Sequence, residues 1–137
     1  MSTFPGEPHG SSTDPAVHAQ LEAMLPSDGA HVLVVLDSDH SYAHVLSELL
    51  TLSRFVTPGS YLLVEDTNVN GHPVLPDFGP GPMEAVIEFL DTSPEFVIDA
   101  RREAFYFTMH PKGFLQRQPG QSSHVEVTTL GIEPESA

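Results

Sequence analysis

The stretch HVLVVLDSDHSYAHVLSELL, residues 31–50, decides how the rest of the chain is read. Its first seven residues are an unbroken β-branched and aliphatic run that ends on Asp37, the pattern of a strand covered on both faces in a parallel sheet. Tyr42, Val45, Leu46, Leu49, Leu50 and Leu52 then recur at helical spacing as far as Phe55-Val56, and Pro58-Gly59 closes the segment before a second apolar run, YLLVED, at residues 61–66. Upstream, Asp14-Pro15 reads as an N-cap with proline at the first helical position. Val17, Leu21, Met24 and Leu25 extend it to a helix over roughly 15–25, which ends before the Ser27-Asp28-Gly29 turn. Downstream, a loop rich in Gly, Pro and Asn from Thr67 to Pro82 leads to Met83, Val86, Ile87, Phe89 and Leu90 at helical spacing, then to EFVID and AFYFTM, both strand-like. Strands alternating with short helices predict an α/β fold with a doubly wound sheet and right-handed crossovers.

The length of 137 residues suits one domain. That domain is expected over 14–117, between a Pro/Gly/Ser/Thr-rich, flexible segment at 1–13 and a flexible acidic tail at 118–137. No apolar run approaches the roughly 18 residues of a membrane span. Nineteen acidic against five basic residues give a formal net charge of -14, which repels polyphosphate and argues against a nucleic-acid partner. Without cysteine the chain has no disulfide, thiolate metal site or thiol nucleophile. The first ten residues lack a basic and apolar leader pattern, so a cytoplasmic location is expected.

In a sheet of this kind ligands bind beyond the carboxyl ends of the strands. The first run delivers Asp37, Ser38, Asp39 and His40 there, and the second delivers Glu65 and Asp66. If the two strands are neighbours these carboxylates share one coordination sphere, and clustered carboxylates repel one another unless a cation sits between them. Hard oxygen donors suit Mg²⁺ or Ca²⁺. The plainer reading makes Asp37, Ser38 and Asp39 caps of the following helix, with Glu65 and Asp66 opening a solvated loop. His40 is placed to act as a general base on a substrate held at the same ends, or is simply a histidine of a first helical turn. The loop NVNGHPVLPDFGPGP, with His72 and Asp77, is long for a connection between strand and helix and is a candidate substrate lid. Gly79-Pro80-Gly81 is no phosphate loop, since its prolines remove the amides that would cradle phosphate.

A receiver domain of the response-regulator kind is a rival, with the first acidic cluster holding Mg²⁺ and Asp66 accepting phosphate. Its late-strand lysine would have to be Lys112, the only lysine, in the HPKG turn. A receiver also sets two strands between acid pair and acceptor, where this chain has one.

The segments DSDHS (37–41), VEDTNVNGHPV (64–74) and FGPGPMEAV (78–86), with the closing FYFTMHPKGFLQR (105–117), resemble the cephalosporin hydroxylase / rhamnosyl O-methyltransferase family over about residues 9–117. The resemblance implies a Rossmann-like doubly wound sheet of a class I, S-adenosylmethionine-dependent methyltransferase of bacterial antibiotic or glycolipid biosynthesis. It implies Mg²⁺ on Asp37, Glu65 and Asp66, His40 as base, and a sugar or natural-product hydroxyl as acceptor. Family members carry further strands and a glycine-rich cofactor loop ahead of the matched region. On that basis the sheet is expected to be incomplete, with its first strands missing. Gly10-Ser11-Ser12-Thr13 resembles the segment beside the cofactor's adenosine, which makes Ser11 and Ser12 the expected cofactor contacts. The strand at 31–37 then has an open edge, and a homo-oligomer or recruitment of the absent N-terminal half is expected. A non-catalytic metal-binding or interaction domain is the alternative.

Overall fold

The computed structural model describes residues 8–104 and 108–120. In chain order it contains α1 (Pro15–Met24), β1 (Val34–Leu36), α2 (Tyr42–Leu52), β2 (Tyr61–Val64), α3 (Pro82–Thr92), β3 (Phe96–Ile98) and β4 (Phe114–Arg117), with short 3₁₀ turns at Ser53–Phe55 and Ala100–Arg102. Helix α1 starts as its sequence predicts, the Asp14 carboxylate accepting from the Ala16 amide at 2.8 Å with Pro15 in the first turn.

The four strands form a mixed sheet in the order β1-β2-β4-β3. β1 and β2 are parallel, with Leu36 opposite Val64, whereas β4 runs antiparallel to both β2 and β3. The fold is thus α/β as expected, but the sheet is mixed. The strand expected at AFYFTM is not the fourth one: Ala104, Thr108 and Met109 are not in a strand, and residues 105–107 lie outside the described residues. The ladder is completed by FLQR at 114–117 instead. This segment has a single buried residue, Leu115, and ends on a charge, so it carries little hydrophobic signal, and an all-parallel expectation has no place for it.

One face of the sheet is covered. Leu36, Leu62, Val64, Phe96 and Leu115 point toward Val45, Leu49 and Leu52 of α2 and Ala85, Val86 and Phe89 of α3, forming the core. Phe89 and Phe96 meet with ring centroids 5.3 Å apart. On the opposite face no described helix covers β1, which corrects the expectation of a strand buried on both sides: Leu33 is 55% and Val35 47% exposed. Strand side chains alternate between faces, and α2 and α3 cover only the face that carries Leu36 and Leu62. A shallow cavity of about 340 Å³ on the opposite face is lined by Leu33, Tyr61, Leu63, Arg102 and Phe114. No helix among the described residues is long and apolar enough to cross a membrane.

The loop from Thr67 to Gly81 is tied down at its base. Thr67, Asn68 and Val69 are buried, and the Asn68 carbonyl accepts from the amides of His72 and Val74. Glu84, in the first turn of α3, receives His72 Nε2 at 2.7 Å, the Gly81 amide at 2.7 Å and Asn70 Nδ2 at 3.2 Å. Partial burial alone would raise its pKa, but these three donors hold the carboxyl down at about 2. The folded state therefore favours the ionised form. The stability this contributes is complete above the ordinary value of 4.5 and drains away as pH falls toward 2. Denaturant unfolding of the chain and of Glu84→Gln is expected to show a stability gap that is widest above about pH 5 and narrows with acidification. A gap that does not change with pH would remove Glu84 from the latch.

Candidate functional site

Because β1 and β2 are parallel and in register at Leu36 and Val64, the residues that follow them emerge on the same edge of the sheet. The Glu65 amide donates to the Leu36 carbonyl at 3.0 Å, carrying the pairing one step past the strands. At Asp66 the backbone turns into the left-handed region, φ 51°, and swings its carboxylate across toward the first acidic cluster.

The outcome is a three-residue group, Asp37, His40 and Asp66, each offering one ligand atom within 4.8 Å of the others. His40 Nε2 lies 3.0 Å from Asp66 Oδ2 and 3.6 Å from Asp37 Oδ1. Neither contact has hydrogen-bond geometry, so this buried nitrogen has no hydrogen-bond partner among the described residues. Glu65, expected in the same sphere, is not in that group. Its Oε2 sits 3.6 Å from Nε2 of His110 instead, and His110 Nδ1 accepts from the Asp66 amide at 3.1 Å. His110 reaches this position because β4 pairs antiparallel with β2 and so returns the HPKG turn to the end of β2.

Asp39 closes a side-chain turn just ahead of α2. Its Oδ1 accepts from the Ser41 amide at 2.7 Å, and this bond, first among the causes, lowers its pKa. The capping reading does not hold as stated, since the N-cap of α2 is Ser41, without a side-chain cap bond, while Asp37 and His40 point to the group with Asp66.

A second set of contacts joins the expected cofactor segment to the strand end. Ser12 Oγ lies 3.2 Å from His44 Nε2, His44 Nε2 lies 3.5 Å from Glu48 Oε1, and Ser38 Oγ donates to Glu48 Oε1 at 2.8 Å. The Ser12 carbonyl is bound by His18 Nε2 at 2.5 Å. Glu48 is 2% exposed and its Oε2 has no partner among the described residues. Ser11 Oγ faces Thr13 at 2.9 Å. Sequence reasoning passed over Glu48, whose position on the apolar side of α2 is the one signal that marks it, and over His110, in the turn that leads into the unplaced β4.

The loop forms a wall beside this group. The Tyr42 amide donates to the Pro80 carbonyl at 3.2 Å, and a Cβ at Gly81 would come within 3.3 Å of the His40 carbonyl, so the wall stands directly against the start of α2.

The sequence model of the Rhamnosyl O-methyltransferase/CmcI family matches residues 8–118. Proteins named rhamnosyl O-methyltransferase from Mycobacterium tuberculosis (strain H37Rv) and Mycobacterium bovis (strain AF2122/97) are each 48% identical to the chain over 109 residues, 78% of this chain and 44% of the relative. That of Mycobacterium leprae is 43% identical over 109 residues, 78% of this chain and 48% of the relative. The chain thus spans less than half the length of these curated relatives. No solved structure matches it. The receiver alternative falls with the family match. With the matched region containing both strand ends, the loop and β4, the chain belongs to the Rhamnosyl O-methyltransferase/CmcI family.

Proposed function

We propose that this chain carries the metal-binding, acceptor-side portion of an S-adenosylmethionine-dependent O-methyltransferase acting on a sugar or natural-product hydroxyl. The observation that carries the reading is the convergence of Asp37, His40 and Asp66 at the ends of two parallel strands, in a chain of this family.

The residues fit a divalent cation. Two carboxylates face one another beside a histidine nitrogen without a hydrogen-bond partner, and a cation between the carboxylates relieves their mutual repulsion. Asp37 and Asp66 would hold it, with Glu65 as a third carboxylate on the same edge. Such a cation lowers the pKa of a hydroxyl it binds and fixes its orientation. The protein's own part is then to remove the proton: His40, whose Nε2 faces both carboxylates, takes it from the acceptor hydroxyl as general base. The wall of the 67–81 loop confines the acceptor on one side.

A second reading of His40 has its own observation. Nε2 is buried, lacks a hydrogen-bond partner and lies within the 4.8 Å group, so the imidazole can itself be a ligand, which suits Mn²⁺ better than Mg²⁺. A ligand nitrogen is not free to take a proton, and the two roles are therefore exclusive.

Ser11 and Ser12 do not by themselves make a cofactor site, since both hydroxyls already face intrachain partners. No step of methyl transfer is assigned to them. We place the remaining cofactor contacts, and the elements that cover the sheet face opposite α2 and α3, in the larger share of the relatives' length that this chain does not span. The chain is in this reading part of a Rossmann-like sheet.

Calorimetric titration of the whole chain with Mg²⁺ and with Mn²⁺, beside Asp66→Ala, tests the metal assignment. Binding should be present in the native chain and fall by at least tenfold in the variant, with matching loss of the stability gained by mass action. Equal affinity in the two would sink it.

A further inference from the structure

We propose that His110 is a positioning residue for the acidic pair at the end of β2, holding the backbone of Asp66 with one ring nitrogen and turning the other toward the carboxylate of Glu65. The effect on a cation rests on the metal-binding reading above; the hydrogen bonding does not.

The Asp66 amide donates to His110 Nδ1 at 3.1 Å. A neutral ring accepts only through its bare nitrogen, so the proton is fixed on Nε2, which faces Glu65 Oε2 at 3.6 Å, just beyond hydrogen-bond distance. Asp66 needs such support. Its φ of 51° is a conformation that a Cβ disfavours, and it is this turn that carries the Asp66 carboxylate to Asp37 and His40.

The ring in turn has a fixed seat. The His110 amide donates to Thr108 Oγ1 at 3.1 Å, the Gly113 amide returns to the His110 carbonyl at 2.9 Å, and the Phe114 ring meets the imidazole edge-on at 6.2 Å. Flanking residues bind the same loop on further rungs: Thr67 Oγ1 donates to the Pro111 carbonyl at 2.6 Å and the Asn68 amide to the Met109 carbonyl at 3.3 Å. The segment 108–113 thus grips 66–68 along its length, with the His110 ring on the Asp66 backbone and facing the Glu65 side chain. Histidine supplies an acceptor for the Asp66 amide on a rigid ring whose N–H side is left toward the Glu65 carboxylate. Partners of this kind, one shell out from a metal, typically alter affinity roughly 10–100-fold.

The test uses the whole chain and Mn²⁺ alone. His110→Ala is expected to weaken Mn²⁺ binding at least tenfold, and His110→Asn, whose Oδ1 offers an acceptor to the Asp66 amide, to restore most of it. A merely structural loss would not be rescued by a side chain that much smaller. Unchanged affinity in His110→Ala overturns the proposal. Nitrogen-15 NMR of the native chain at about pH 8, where an ordinary histidine is neutral, reads the ring directly. The proton is expected on Nε2, and a proton on Nδ1 overturns the proposal whether or not metal binds. Absence of Mn²⁺ binding by the native chain would instead sink the metal reading, with the ring tautomer still deciding the role of His110.

Discussion

Gly113→Ala is expected to cost roughly 3 kcal/mol or more and to lower the melting temperature by roughly 10 °C or more. A Cβ at this position would stand 2.3 Å from the Val64 carbonyl oxygen and 3.1 Å from the Cβ and carbonyl oxygen of His110. Backbone atoms cannot swing aside as the end of a long side chain does. The Val64 amide also donates to the Gly113 carbonyl at 2.9 Å, so relieving the clash pulls apart the bond that joins β2 to the segment before β4. Both sides of that contact lead into the site, Val64 into Glu65 and Asp66, and Gly113 back to His110. Thermal unfolding followed by circular dichroism checks the stability, and an unchanged melting temperature would show that the two backbones have room the structure does not give them. Metal affinity should fall alongside stability, because the same displacement loosens Asp66.

The largest effect on activity is expected at His40. In an enzyme in which this chain is joined by its cofactor-binding half, His40→Ala should lower kcat for methyl transfer to a glycoside by roughly 10²–10⁴-fold, the usual cost of losing a general base. Metal affinity should change by no more than a few-fold. The reverse division, with metal affinity lost first and turnover restored at saturating Mn²⁺, would move His40 from base to ligand. An unchanged kcat would leave it a histidine of the α2 approach.

How much of this could be read from the sequence follows from which residues carry local signals. Asp14-Pro15 announces α1, and the apolar spacing of α2 and α3 gives their buried faces, since each depends on neighbours within a few turns. Asp37 and Asp66 were legible as partners because their strands are long apolar runs with acidic ends, and a parallel pair brings those ends together. The burial of β1 was misread: HVLVVLD looks like a strand covered on both faces, but whether the second face is covered depends on elements the local run cannot report, and Val35 is exposed. β4 was missed because FLQR is short and has one buried residue, its pairing being decided by β2 and β3 rather than by its own composition. His110 was missed with it. The direction of Glu65 also lay beyond sequence, for it depends on that returning strand, whereas the acidic pair itself is plain to read.

The loop between β2 and α3 is built of two parts under different constraints. Its base is bound up in the hydrogen bonds of Asn68, Asn70, His72 and Glu84, while its tip carries Leu75 and Phe78, 59% and 44% exposed. Folding therefore restricts what evolution can place at the base and restricts the tip little. Mutations that enlarge, shrink or recharge the tip can accumulate without unseating Asp66 or the start of α3. Under the proposed function, a lineage with this scaffold could exchange one acceptor for another by revising the rim while Asp37, His40 and Asp66 stay in place.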